Sequence, residues 1–89
     1  MAALNDEQVE RGLATLDDWS REGKAIRRTY HFNSFAAAIA FVNRVADAAE
    51  GMDHHPDIDI RYRDVTLTLS THSEGGITQK DIDLARQVG

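Results

Sequence analysis

An alanine-rich run, Phe35 to Ala46, separates two stretches of the chain in which apolar and polar residues alternate. Asn33 and Ser34, both good N-cap types, precede this run, and alanine has the highest helix propensity. Gly51 is typical of a helix C-terminus and predicts the end of the helix. One stripe of the predicted helix carries the residues expected to face the core: Phe35, Ile39, Val42, Val45 and Ala46. A helix flanked by two alternating stretches restricts the fold to a sheet with helices packed on it.

Each alternating stretch has the two-residue period of β-strands. The first follows a turn at Glu22-Gly23 and predicts two short antiparallel strands. The second predicts a hairpin of two half-buried strands joined near Arg63-Asp64. The apolar positions that define the hairpin are Ile58, Ile60 and Tyr62 in one strand and Val65, Leu67 and Leu69 in the other.

Two further helices are predicted near the ends of the chain. Asn5 is a suitable cap for an amphipathic helix that ends near Leu16, and Thr78 to Asp81 begins a last helix. The sequence therefore predicts one α+β domain over residues 1–89, a four-stranded antiparallel sheet with three helices on one face. The predicted order is helix-strand-strand-helix-strand-strand-helix.

The size and charge of the chain narrow the possible partners. A domain of 89 residues buries only about 60% of its unfolded surface, so self-association is expected. The net charge of -5 disfavours direct nucleic-acid binding. No apolar run approaches membrane-spanning length and the N-terminal residues lack a signal-peptide pattern, so we expect a cytoplasmic protein without a membrane partner.

Three of the four histidines fall between Met52 and His72. Pro56 disfavours helical geometry at His55, so the side chains of His54 and His55 should point in different directions. Strand alternation puts His72 on the polar side of its strand, with Thr66, Thr68 and Ser70. Antiparallel pairing would bring the start of one hairpin strand beside the end of the other, and so assemble the histidines.

Clustered imidazoles suit general acid–base chemistry, because an imidazole has a pKa of about 6.5 and can give or take a proton near neutrality. A dehydration uses such a pair. One group protonates the departing hydroxyl, and the other takes a proton from the atom whose electrons form the new double bond. This chemistry requires neither a metal nor another cofactor.

Other interpretations of these residues remain open. A histidine doublet is often only an exposed surface feature, and three histidines could bind zinc, although the HExxH spacing is absent and adjacent histidines are awkward joint ligands. His31 is typical of an exposed sheet residue. Asp81 could orient His72, yet the helix dipole also explains an acidic residue there. Trp19 is typical of a core or interface anchor.

The combined pattern strongly resembles the pterin-4a-carbinolamine dehydratase family. The matching residues are His54-His55-Pro56, Tyr62, Ser70-Thr71-His72 and Asp81 to Ala85, with Trp19, Tyr30 to Phe35 and Phe41 to Ala46 upstream. The resemblance implies the α+β fold predicted above and a homodimer or homotetramer. It also implies dehydration of a 4a-hydroxytetrahydropterin to the quinonoid dihydropterin during tetrahydrobiopterin recycling.

The same resemblance implies roles for individual residues. His54 and His72 would be the acid–base pair, and His55 would chiefly hold the pterin ring. Asp53, Pro56, Ser70, Thr71 and Ser73 would complete the pocket. In this family, animal relatives also act as dimerisation cofactors of a transcription factor, and some bacterial relatives serve as assembly factors after losing the histidines. A non-catalytic interaction module is therefore the alternative function.

Overall fold

The computed structural model describes residues 2–89, which form three α-helices, four strands and one short 3-10 turn. In chain order they are α1 Asp6–Ala14, β1 Ser20–Glu22, β2 Ala25–His31, α2 Phe35–Met52, β3 Asp57–Arg61, β4 Asp64–Leu69, the 3-10 turn His72–Glu74 and α3 Gln79–Val88. This arrangement confirms the predicted α+β fold and its order of elements.

The four strands form one antiparallel sheet in the order β1-β2-β4-β3. The central pair, β2 and β4, aligns Tyr30 with Val65 and Thr29 with Thr66. Because side chains alternate between faces, the apolar members point to the helices and the threonines to the other side, here called the open face. The core between sheet and helices comprises Val9, Trp19, Ile26, Tyr30, Ala38, Phe41, Val45, Ala49, Val65, Leu67, Leu69, Ile77, Ile82, Leu84 and Ala85.

The first helix begins where the sequence predicts and ends slightly earlier. The Asn5 side chain accepts the Gln8 backbone N–H, and the Gln8 side chain accepts the Asn5 backbone N–H. These two bonds form a capping box, which satisfies free N–H groups at the helix start. The helix ends at Ala14 rather than near Leu16, because Thr15 closes its last turn with backbone and hydroxyl bonds to earlier carbonyls.

The long helix α2 runs through Gly51, so the predicted C-terminal end at that glycine is wrong. The helix ends two residues later, where Asp53 adopts the left-handed conformation with φ 49° and ψ 43°. The backbone N–H groups of Asp53 and His54 both return to the carbonyl of Ala49. A left-handed residue closed by such bonds is a common helix ending, and Asp adopts it more readily than most residues.

The face of α2 that packs on the core also differs from the predicted stripe. Its buried residues are Ala38, Phe41, Val45 and Ala49, whereas Phe35 is 52% exposed. Apolar residues surround much of this helix, so its sequence period does not select one face, and the small alanines allow a close approach to neighbouring elements.

Within residues 2–89, no helix combines the length and apolar character needed to cross a membrane.

Strand β3 forms one edge of the sheet and is more exposed than the predicted half-buried strand. Every residue from Asp57 to Arg61 is exposed. Ile58 and Ile60 pair with the buried Leu67 and Val65 of β4, yet they remain 37% and 40% exposed. The helix layer therefore leaves part of the apolar side of β3 uncovered.

Candidate active site

The predicted site residues lie at one end of the sheet. Strand β3 starts there, with Asp57 opposite Thr68 near the end of β4. The segment from Asp53 to Pro56 leads into β3, and the segment from Ser70 to His72 leaves β4. Antiparallel pairing thus brings the two histidine-bearing segments to the same end of the sheet, as the hairpin pattern predicts.

His54 is held by the start of α3. Its ring Nε2 lies 2.5 Å from Oδ1 of Asp81, and both side chains are buried. The other carboxylate oxygen of Asp81 accepts the Thr71 hydroxyl and the Thr78 backbone N–H, each at 2.9 Å. A buried carboxylate needs such partners, and the positive end of the α3 dipole adds to them.

This network differs from the predicted role of Asp81. Of the two interpretations of Asp81, orientation of His72 or helix stabilisation, the first names a different histidine from the one its carboxylate contacts, which is His54. The reason is the α3 capping box, in which Asp81 turns back toward Thr78 and so faces the buried side of the histidine segment. If Nε2 of His54 donates its proton to Asp81, Nδ1 is left as a proton acceptor.

His55 has a different environment and a different partner. Its side chain is 57% exposed, and its Nε2 makes a short hydrogen bond with a carboxylate oxygen of Glu50 in the last turn of α2. Glu50 was not predicted from the sequence as a site residue. An acidic residue near a helix C-terminus opposes the helix dipole, so its position was a signal of a role other than helix stability.

His72 lines a cavity of about 290 Å³ on the open face of the sheet. Thr68 and Ser70 line the same cavity, in agreement with the alternation of β4. Its full lining comprises Lys24, Ala25, Asp57, Thr68, Ser70, His72, Gly75 and Gly76. Lys24 and Asp57 were not predicted from the sequence, because only the strand order β1-β2-β4-β3 brings the β1–β2 turn and β3 to this cavity.

The remaining predicted binding residues lie in the same two segments as the three histidines. Asp53 is exposed at the end of α2, Pro56 is half-buried before β3, and Ser73 is exposed in the 3-10 turn. The hydroxyl of Ser70 donates to the backbone carbonyl of Lys24 at 2.6 Å and so ties β4 to the β1–β2 turn. Thr71 is buried against Asp81. Ser70 and Thr71 therefore have contacts that support this end of the sheet.

Larger depressions exist elsewhere on the surface. One of about 410 Å³ lies between α2 and α3, and another of about 450 Å³ follows β2 beside Tyr30 and His31. Neither is lined by His54, His55 or His72. Residues 2–89 also contain no group of three or more metal-ligating side chains arranged to hold an ion. The end of the sheet that carries the three histidines is therefore the best candidate for chemistry.

Comparison with known proteins identifies the family to which this chain is similar. The sequence profile described as Pterin 4 alpha carbinolamine dehydratase matches residues 2–89. The chain belongs to this dehydratase family. A Nocardia farcinica protein that bears the dehydratase name is 62% identical over 85 residues, covering 96% of this chain and 90% of the relative. A similarly named Roseiflexus castenholzii protein is 56% identical over 87 residues, which cover 98% of this chain and 94% of that protein.

Solved structures of dehydratase relatives share the fold. The crystal structure of a transcriptional coactivator/pterin dehydratase from Brucella melitensis aligns with a TM-score of 0.93 and 38% identity, over 97% of this chain and 94% of that one. A pterin dehydratase-like protein identified as a RuBisCO assembly factor in the α-carboxysome aligns with a TM-score of 0.68 and 26% identity, over 80% and 84%. Proteins of this dehydratase fold therefore carry names for more than one function.

Proposed function

We propose that this protein dehydrates a 4a-hydroxytetrahydropterin to the quinonoid dihydropterin and water, the step that allows tetrahydrobiopterin to be recycled. The observation that carries the proposal is the placement of three histidines at one end of the sheet, each in a different environment. His54 is buried on Asp81, His55 is exposed on Glu50, and His72 lines a cavity.

These environments support separate roles for the histidines. The reaction breaks the bond between C4a and its hydroxyl oxygen, and it forms a double bond between C4a and N5 as N5 loses its proton. His54 suits the proton acceptor, since a hydrogen bond from Nε2 to Asp81 fixes the ring and leaves Nδ1 with a lone pair. His72 would protonate the departing hydroxyl, and His55, positioned by Glu50, would hold the pterin ring.

Self-association forms part of the same proposal. Strand β3 is an unpaired edge, and the exposed Ile58 and Ile60 leave apolar area beside it. Such an edge is an aggregation risk unless another strand or subunit covers it. We therefore propose that two copies pair through β3 in a homodimer, or in a homotetramer built from such dimers.

The decisive experiment is a stopped-flow ultraviolet assay of 4a-hydroxytetrahydropterin dehydration at neutral pH. The wild type should accelerate the reaction above its uncatalysed rate, and His54→Ala and His72→Ala should each lower turnover by about 100-fold or more. His31→Ala, the same change at an exposed histidine bonded to Asp64, is the matched control and should retain activity.

The alternative is a non-catalytic interaction module. The names of the two structural relatives and the uncovered side of β3 both favour a protein partner. A wild type that does not accelerate dehydration would make this alternative the better interpretation. Activity lost in His31→Ala as strongly as in His72→Ala would instead contradict the assignment of the site.

A further inference from the structure

The cavity beside His72 has two charged walls on opposite sides. Asp57 begins β3 and pairs with Thr68, while Lys24 lies in the β1–β2 turn next to Ala25. Because Ile26 pairs with Leu69 in β4, β3 and β2 flank the same end of that strand. Neighbouring strands lie about 4.8 Å apart, so the two walls stand about 10 Å apart across a floor formed by β4.

The cavity floor between these two charged walls is lined by uncharged side chains. Thr68 supplies a hydroxyl group from β4, Ser70 supplies one from the residue after the end of that strand, and Gly75 and Gly76 also line the cavity. A Cβ atom at Gly75 would meet no neighbour within 4 Å, whereas one at Gly76 would contact Ala3, so Gly75 leaves open space for a flat ring to approach. The cavity therefore suits a planar heterocycle that lies between an acceptor at one end and a donor at the other.

The two walls offer opposite hydrogen-bonding chemistry. An ionised carboxylate only accepts hydrogen bonds, whereas a lysine ammonium only donates them. A 2-amino-4-oxopyrimidine ring presents its 2-amino group and N3–H side by side. A carboxylate can accept both at once, in the two-bond geometry it uses with guanidinium groups.

We propose that Asp57 is the residue that recognises the aminopyrimidinone end of the substrate, and that Lys24 binds acceptor groups on the substituent at its other end. The proposal rests on the proposed pterin chemistry and adds the substrate feature that is recognised. Asp57 is a binding residue here and takes no part in proton transfer. Its position only two residues after His55 would place the ring beside the catalytic histidines.

The test compares the binding of a pterin with that of a lumazine, which carries an oxygen in place of the 2-amino group. A hydrogen bond to a charged group is worth about 1.5–3 kcal/mol, so the wild type should bind the pterin about 10-fold to 100-fold more tightly. Asp57→Asn keeps the shape but loses the charge, and its preference should fall to about threefold or less.

Two variants make the result specific. Asp59→Asn changes a carboxylate two residues along the same strand, which pairs with Thr66 and lines a different depression, so it should keep the wild-type preference. Lys24→Met should weaken both ligands by a similar factor when their substituents are identical, because it acts at the other end of the ring. Titration calorimetry or fluorescence quenching gives all of these affinities.

The outcomes separate this proposal from the proposed function. If the wild type accelerates dehydration and Asp57→Asn retains the full preference for the pterin, the recognition role is wrong and the enzyme assignment stands. If Asp59→Asn loses the preference as strongly as Asp57→Asn, the effect is general to the strand and the role is also wrong. A wild type that neither binds the pterin nor accelerates dehydration would overturn both.

Discussion

Asp81 and His54 are separated by 27 residues in the chain, and a carboxylate oxygen of Asp81 lies 2.5 Å from the ring of His54. The same carboxylate caps α3 through the backbone N–H of Thr78 and accepts the hydroxyl of Thr71. One buried side chain therefore connects the last helix, the end of β4 and the segment that precedes β3. Fold stability and histidine orientation both depend on it.

Replacing Asp81 should destabilise the fold as well as the site. Asp81→Ala leaves the ring of His54 and two buried donors without their acceptor, and such a loss costs about 3–5 kcal/mol. Asp81→Asn keeps the volume and should cost less, while still lowering turnover. Urea unfolding, monitored by circular dichroism, measures the change in the free energy of unfolding. Asp83→Ala, at an exposed carboxylate of the same helix, should change the free energy of unfolding by about 0.5 kcal/mol or less.

Removal of the carboxylate at Glu50 should affect substrate binding more than turnover. Glu50→Gln weakens the bond that positions His55, so we expect KM to rise roughly fivefold to tenfold with a smaller change in kcat. His55→Ala should shift KM in the same direction and further. Glu10→Gln, at an exposed position of α1, is the matched control. An unchanged KM together with a collapsed kcat would mean that His55 takes part in proton transfer.

Alkaline pH should destabilise the fold through Tyr30. Burial raises the pKa of the Tyr30 phenol above its usual value of about 10, and the nearby Arg28 charge partly opposes this shift. Above pH of about 10 the unfolded chain loses the phenol proton while the folded protein keeps it. The free energy of unfolding should therefore fall as pH rises through this range.

The variant Tyr30→Phe removes the titrating group and should make that alkaline decline less steep. Near neutral pH it should lower the free energy of unfolding by about 0.5–1.5 kcal/mol, because the phenol oxygen interacts with the buried side-chain N–H groups of Trp19 and Arg28, although outside standard hydrogen-bond geometry. Unfolding titrations near pH 8 and pH 11, about two units below and one unit above the usual value, measure both effects. Tyr62→Phe, at a tyrosine that is 69% exposed, is the comparison variant. Equal declines in wild type and Tyr30→Phe would contradict the assignment.

A charge placed on β3 should separate the proposed oligomer. Ile60→Lys adds a solvated ammonium to the exposed apolar side of the edge strand, and lysine on an edge opposes strand pairing. Sedimentation equilibrium should show the wild type as a dimer or tetramer and the variant as a monomer. Ala14→Lys, at an exposed position of α1, should leave the assembly intact. A monomeric wild type would remove β3 pairing from the proposal.

The sequence predicted the elements better than their ends. Alternation in β4 predicted the face of Thr68, which lines the cavity beside His72, because a strand has only two faces. It did not predict that β4 ends at Leu69 and that His72 begins a 3-10 turn. The end of α2 was predicted wrongly, since glycine usually supplies the left-handed residue and here Asp53 does so. The buried stripe of α2 could not be chosen, because several of its faces are apolar and packing against the rest of the fold decides between them.

The same limit applies to the partners of the site residues. The three histidines could be identified from sequence because their residue type, spacing and adjacent proline lie within one segment. The contacts of Glu50 and Asp81 could not be predicted from the sequence, because each depends on where a helix ends or begins. Lys24 and Asp57 meet one cavity only after β2 and β3 have both paired with β4.

The left-handed closure at Asp53 has a further consequence for the length of α2. The carbonyl of Ala49 holds the backbone N–H of His54, so the histidine leaves the helix in a direction set by the rotation of its last turn. One residue added to the helix interior would rotate that exit by about 100° and advance it by about 1.5 Å. We therefore expect an insertion or deletion inside α2 to abolish activity, even at exposed positions where substitutions are harmless.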